Sequence, residues 1–207
     1  MSRTVVRVYS DYKSPYAYVA VRPAYQLAED YGLELEWRPY TLRIEEYLGA
    51  VETRNAHCWR RVRYSYMDAR RYANKQGLIL KGTKRVYNGY YANAGMLWAQ
   101  QAGVFRPYHD TVFDRFWKQE LDIDVLDEMK ALVAGIGGDP EAYAAWIEGP
   151  GRAEMDANIE EAEAMGVFGV PMFVLDGELF WGGDRIDLLK ERLAEKRAAA
   201  GGSPPSV

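Results

Sequence analysis

Thr4-Val5-Val6-Arg7-Val8-Tyr9-Ser10-Asp11-Tyr12-Lys13-Ser14-Pro15-Tyr16-Ala17 carries the chain out of a strand and into a helix. Thr4 to Tyr9 reads as a buried strand, and Ser14 followed by Pro15 reads as an N-cap with proline at the first helical position. Tyr16, Val19, Ala20, Leu27, Ala28 and Tyr31 then recur at helical spacing, so one face of the helix packs on the strand that feeds it. Pro23 falls inside this pattern and is expected to kink the helix, because it removes a backbone donor. Ser14 thus stands beside unpaired backbone N–H groups, a position that stabilises an anion such as a thiolate. The same residue also reads as a plain helix cap, and the local sequence supports both.

A second stretch answers the first near the other end of the chain. Gly166-Val167-Phe168-Gly169-Val170-Pro171-Met172-Phe173-Val174-Leu175 leads through Asp176-Gly177 into Glu178-Leu179-Phe180-Trp181. Asp-Gly between two apolar runs predicts an antiparallel hairpin. Pro171 at the mouth of its first strand belongs at an edge or an irregularity, since it cannot donate to a ladder. Val170-Pro171 is a candidate cis bond. Gly182-Gly183-Asp184-Arg185 follows, ahead of a helix with Ile186, Leu188, Leu189 and Leu193 apolar. Glycines opening a helix leave N–H groups open to a carboxylate or phosphate, with Asp184 beside them for an ammonium group. An Asp N-cap after a hairpin exit is the other reading.

Taken in order, these pieces resemble the DsbA-like branch of the thioredoxin superfamily, and within it the 2-hydroxychromene-2-carboxylate isomerases and kappa-class glutathione transferases. The resemblance runs over nearly the whole chain: Tyr9 to Tyr16, then Tyr64 with Asp68 and Arg71, then Gly166 to Arg185. It implies an α/β, thioredoxin-like fold with a large all-helical insertion. The thioredoxin-like part is expected at 1–42 and 166–197, and the insertion at 43–165. Glutathione is the implied cofactor. Ser14 matches the serine that hydrogen-bonds the glutathione sulfur, and Val170, before the cis Pro171, pairs its backbone with the cysteinyl part. Asp184 and Arg185, with the N–H groups at Gly183, match the seat of the γ-glutamyl end. Arg61 is the nearest match to the family's basic position, and Asn55 to a contact with the glycyl carboxylate. A homodimer is implied as well.

Ser14 and Ala17 stand where a redox member of this superfamily needs thiols, so dithiol exchange is not expected. Cys58 is the single cysteine, which rules out an intramolecular disulfide, and metal-site spacing is absent. It reads as a buried small hydrophobe or as an incidental thiol near the site. The chain of 207 residues can bury a substantial core, and its formal charge of −4 argues against general nucleic-acid binding. No apolar run approaches membrane-spanning length, and the first residues lack the apolar core of a secretory signal, so the cytoplasm is expected. Ala198 to Val207 has linker composition and is expected to be disordered.

Between the two ends the periodicity is helical. Trp59, Val62, Tyr66, Ala69 and Ala73 form one stripe from Cys58 to Gln76, with Gly77 as the stop. Tyr91 to Gln101, Pro107 to Leu121, Val125 to Ile136 and Arg152 to Met165 read as helices, and Asp139-Pro140 caps another. Arg60, Arg61, Arg63, Arg70 and Arg71 read as a solvated face, Arg61 being the exception that the resemblance picks out. Tyr87, Tyr90, Tyr91 and Trp98 are candidates for an aromatic pocket or for core. His57 and His109 belong to no recognisable triad. The function implied is a glutathione-dependent isomerase acting on a small aromatic or conjugated keto-acid. The alternatives are a kappa-type transferase, a DsbA-family protein that has lost its redox cysteines, and a non-catalytic binder.

Overall fold

The computed structural model describes residues 3–199. The opening βαβ unit consists of β1 (Val5–Ser10), α1 (Pro15–Tyr31) and β2 (Glu34–Pro39), the two strands pairing in parallel. A hairpin near the far end supplies β3 (Met172–Leu175) and β4 (Glu178–Trp181), giving a four-stranded mixed sheet in the order β2-β1-β3-β4. Asp176 and Gly177 both take positive φ, 51° and 85°, as a two-residue turn of this hand requires. Pro171 precedes β3 and so interrupts no ladder, although β3 itself is an interior strand.

Between β2 and β3 the described residues form helices and irregular segments, in line with the all-helical reading of 43–165. The helices are α2 (Ile44–Leu48), α3 (Ala56–Lys75), α4 (Tyr90–Gln101), α5 (Phe105–Trp117), α6 (Leu126–Gly135), α7 (Pro140–Glu148) and α8 (Gly151–Ala164). Thus α5 begins and ends earlier than the Pro107 to Leu121 periodicity implied: Gln119 takes φ 60°, a left-handed turn that no helix continues through. A 3-10 turn at Gly183–Arg185 then enters α9 (Ile186–Ala199). Ala198 and Ala199 are therefore helical, against the expectation for the tail, and the rest of that tail lies outside the described residues. None of the described helices is long and apolar enough to cross a membrane.

Helix α1 is buried more broadly than one stripe. Ala17, Tyr18, Val21, Ala24 and Tyr25 are buried along with Val19, Ala20 and Leu27, because the helix has the sheet on one side and the insertion on the other. Tyr18 stacks on Trp117 and Phe113 of α5, with ring centroids 6.1 and 5.6 Å apart. One hydrophobic core therefore runs through both parts of the chain. Helix α1 remains helical across Pro23. Pro23 has no N–H to offer the carbonyl of Val19, four residues back, and Gln76 donates its side-chain amide there instead at 2.8 Å.

His109 sits at the centre of this core with no exposure, ringed by Tyr12, Trp37, Phe105 and Phe113. Its Nδ1 shares a hydrogen bond with the Tyr12 hydroxyl at 2.9 Å. Burial, and after it the Arg106 charge, pushes its pKa from 6.5 down to about 3. The folded protein thus holds His109 neutral, while the unfolded chain protonates it near 6.5. Its share of stability is complete above that pH and declines as pH falls toward 3. At pH 5 the loss from this group is about 2 kcal/mol. Urea midpoints recorded against pH should show this slope in the wild type and a flatter curve in His109→Phe; equal slopes would assign it to other groups.

Candidate active site

The register of β1 on β3 pairs Val8 with Phe173 and Tyr9 with Met172, antiparallel. The segment leaving β1 and the segment entering β3 are thereby placed side by side. Ser14 caps α1 with extended backbone, its hydroxyl oxygen accepting the Ala17 N–H at 3.1 Å. Its proton is directed at the Val170 carbonyl 3.5 Å away, well beyond the usual 2.7–2.8 Å for such a bond, so it is only weakly engaged. The hydroxyl is nearly buried, and Val170-Pro171 is cis. The Pro171 carbonyl accepts the Gly182 N–H at 2.9 Å, which ties the proline loop to the turn after β4. Gly169 allows Trp181 to lie close, because a Cβ there would meet the indole nitrogen at 3.0 Å.

Just ahead of Ser14 lies a buried polar node. Asp11 has no exposure, and its carboxylate accepts the N–H groups of Lys13 at 3.1 Å and Leu42 at 2.7 Å and the Asn93 amide at 3.2 Å. Lys13 Nζ stands 3.6 Å from the same carboxylate and donates to the carbonyls of Leu42 at 3.2 Å and Asn88 at 2.9 Å. A buried charge held this way needs every one of these partners.

Ser14 opens onto a cleft of about 450 Å³ between α1, α3, the proline loop and the segment 83–87. Leu42, Ile44, Leu48, Val62 and the rings of Trp59 and Trp181 supply its apolar walls. Its charged lining residues are Lys13, Arg54, Arg61, Lys84 and Arg85, with no carboxylate among them. Lys13 and Arg85 are paired with Asp11, Asp122 and Asp124 outside the lining, so the charged surface that the cleft itself presents is cationic and suits an anion. Tyr16 also lines it, but burial, and then Asp68 at 3.1 Å, drive its pKa upward, so it remains a neutral phenol.

Of the residues singled out from sequence, Ser14, Val170 and Arg61 share this cleft. Pro171 adjoins Val170 outside the lining. Asn55 is exposed, and its side-chain oxygen caps α3 by accepting the Cys58 N–H at 2.9 Å. Gly183 lies against Ala20 of α1, while Asp184 and Arg185 pair with each other at 2.8 Å, half exposed and outside the cleft wall. Among the pocket aromatics only Tyr87 lines the cleft. Trp98 packs edge-on to Tyr143 in the core and Tyr90 donates to the Ile147 carbonyl. Cys58 is half-buried, because the first turn of α3 stands clear of the core. Sequence reasoning missed the Asp11–Lys13 pair, Arg54, Lys84, Arg85 and Trp181. The charges at 11 and 13 amid apolar residues were the one available signal.

Residues 5–194 match the family described as the DSBA-like thioredoxin domain. The chain is 29% identical to a 2-hydroxychromene-2-carboxylate isomerase of Pseudomonas putida over 91% of its length and 94% of that protein. A solved 2-hydroxychromene-2-carboxylate isomerase superposes with a TM-score of 0.80 at 26% identity, covering 96% of this chain and 100% of the other. A probable DsbA oxidoreductase from Streptomyces coelicolor gives 0.75 at 18% identity over 99% and 94%, a likeness of fold.

Removing the carboxylate of Asp11 strands a buried ammonium and three N–H donors. Asp11→Ala should lower the free energy of unfolding by about 3–5 kcal/mol in urea titrations, and Asp11→Asn by less. A loss of under about 1 kcal/mol in Asp11→Ala would mean that water replaces the carboxylate.

Proposed function

This chain belongs to the DSBA-like thioredoxin domain family, and we propose that it is a glutathione-dependent isomerase of the 2-hydroxychromene-2-carboxylate isomerase type. It acts in the cytoplasm, as a homodimer, on a small aromatic or conjugated keto-acid. The observation that carries this reading is the weakly engaged Ser14 hydroxyl at the wall of a cleft whose charged lining residues are all cations. The names of the relatives support the reaction type.

The residues present suit glutathione in two ways. A hydroxyl held at 3.5 Å from its acceptor is free to turn toward sulfur, and the tripeptide's two carboxylates match a lining rich in cations. Glutathione, if held here by Ser14, Val170 and Arg61, would supply a thiolate nucleophile suited to reversible addition to a conjugated double bond. Ser14 would lower the cost of the charged sulfur by donating a hydrogen bond to it, aided by the positive end of α1. Val170 offers its backbone beside it. Arg61 holds a carboxylate, and the apolar wall excludes water from the reacting bond. Gly183, Asp184, Arg185 and Asn55 are assigned to the ends of the tripeptide on the strength of the resemblance.

Ser14→Ala separates this role from simple capping. The cap alone is worth about 1 kcal/mol of stability and nothing in turnover. Loss of a hydrogen bond to a charged sulfur should lower the rate by about 10- to 150-fold and raise the pKa of bound glutathione by about one unit per 1.4 kcal/mol, read from thiolate absorbance. Unchanged turnover and thiolate pKa would reduce Ser14 to a cap. Glutathione should be recovered in full after turnover, whereas stoichiometric consumption would make the protein a transferase.

The site holds no thiol at Ser14 or Ala17, so insulin reduction should proceed at the uncatalysed rate. Catalysis that disappears in Cys58→Ser would overturn this.

A further inference from the structure

Arg54 is set apart among the cations of the cleft by a donor that is both buried and unpartnered among the described residues. Its Nε donates to the carbonyls of Leu48 and Gly49, at 3.2 and 3.0 Å, which fixes the side chain against the end of α2. One terminal nitrogen of the same guanidinium is buried and has no partner among the described residues. Such a donor costs free energy until an acceptor reaches it, and a carboxylate is the acceptor that matches the fork of an arginine. By comparison, Arg85 is committed to Asp122 at 2.9 Å and Asp124 at 2.7 Å, and Lys13 to Asp11 and two carbonyls.

The surroundings narrow the ligand further. The Arg54 guanidinium lies 5.3 Å from the centroid of the Trp59 ring, and Leu48, Val51 and Val62 line the same cleft. A cation set among an indole and aliphatic side chains recognises a carboxylate attached to a flat apolar group better than a polar peptide. We propose that Arg54 is a specificity-determining residue that takes the carboxylate of the aromatic acid substrate, its apolar frame lying against Trp59. The proposal rests on the cleft being the substrate site of the reading above, and is independent of glutathione.

Cinnamate and cinnamamide, which differ in charge and little in shape, test it by calorimetric titration of the purified protein without glutathione. The wild type should prefer cinnamate by roughly ten-fold or more. Arg54→Gln, which keeps a donor for the Leu48 and Gly49 carbonyls but removes the charge, should bring the two ligands to similar affinity. Arg54→Lys should restore part of the preference. A purely structural effect would weaken both ligands together and leave their ratio as in the wild type, which would overturn the proposal. Loss of glutathione binding in Arg54→Gln with the cinnamate preference intact would overturn it also, assigning the residue to the tripeptide. An Arg54-dependent preference in a wild type that fails to bind glutathione would sustain this proposal while removing the glutathione reading.

Discussion

The antiparallel register of β1 on β3 is the constraint on which the rest depends. Tyr9 faces Met172, so the chain leaving β1 and the chain entering β3 meet at the same end of the sheet. Every group near Ser14 comes from one of these two exits or from what is packed over them. A shift of one residue would turn each side chain of the strand to the opposite face and separate Ser14 from Val170. Core packing opposes any such slip, because Val8 and Phe173 are both fully buried.

Over this junction the Asp11–Lys13 pair works as a tie between distant segments. Asp11 holds the backbone at Leu42 and the amide of Asn93, and Lys13 reaches the carbonyls of Leu42 and Asn88. The loop after β2 and the segment leading into α4 are thus fixed to the residue next to Ser14. Two walls of the cleft are set by one buried ion pair, at the cost of dehydrating both charges. On the far side of the second wall, Asp124 accepts the N–H groups of Asn88 and Gly89 at 3.0 and 2.7 Å and pairs with Arg85. The acids near the cleft thus serve as outer anchors, and the cations remain as its charged lining.

The helix α3 shows how one stripe can serve two purposes. Ala69 and Ala73 reach the core, as periodicity predicts, but Trp59, Val62 and Tyr66 on the same stripe line the cleft. Periodicity reports that a face is apolar; whether that face meets core or ligand depends on how far the neighbouring layer extends. Tyr66 marks the transition, its hydroxyl bonded to Thr83 at 2.9 Å where the segment 83–87 crosses over the helix.

Local sequence determined the strand-to-helix step at Ser14, the Asp-Gly hairpin, the helical character of 43–165 and the absence of thiols at the site, because each depends on backbone preferences or residue identity within a few positions. The resemblance joined Ser14 to Val170. Only the tertiary structure decided that Arg54, Lys84 and Arg85 share a cleft with them, that Asp11 and Lys13 are buried together, and that Gln76 completes the carbonyl left open by Pro23. Those relations connect residues tens of positions apart in sequence. They arise when packed layers exclude water and leave each polar group to find its partner from whatever segment lies beside it.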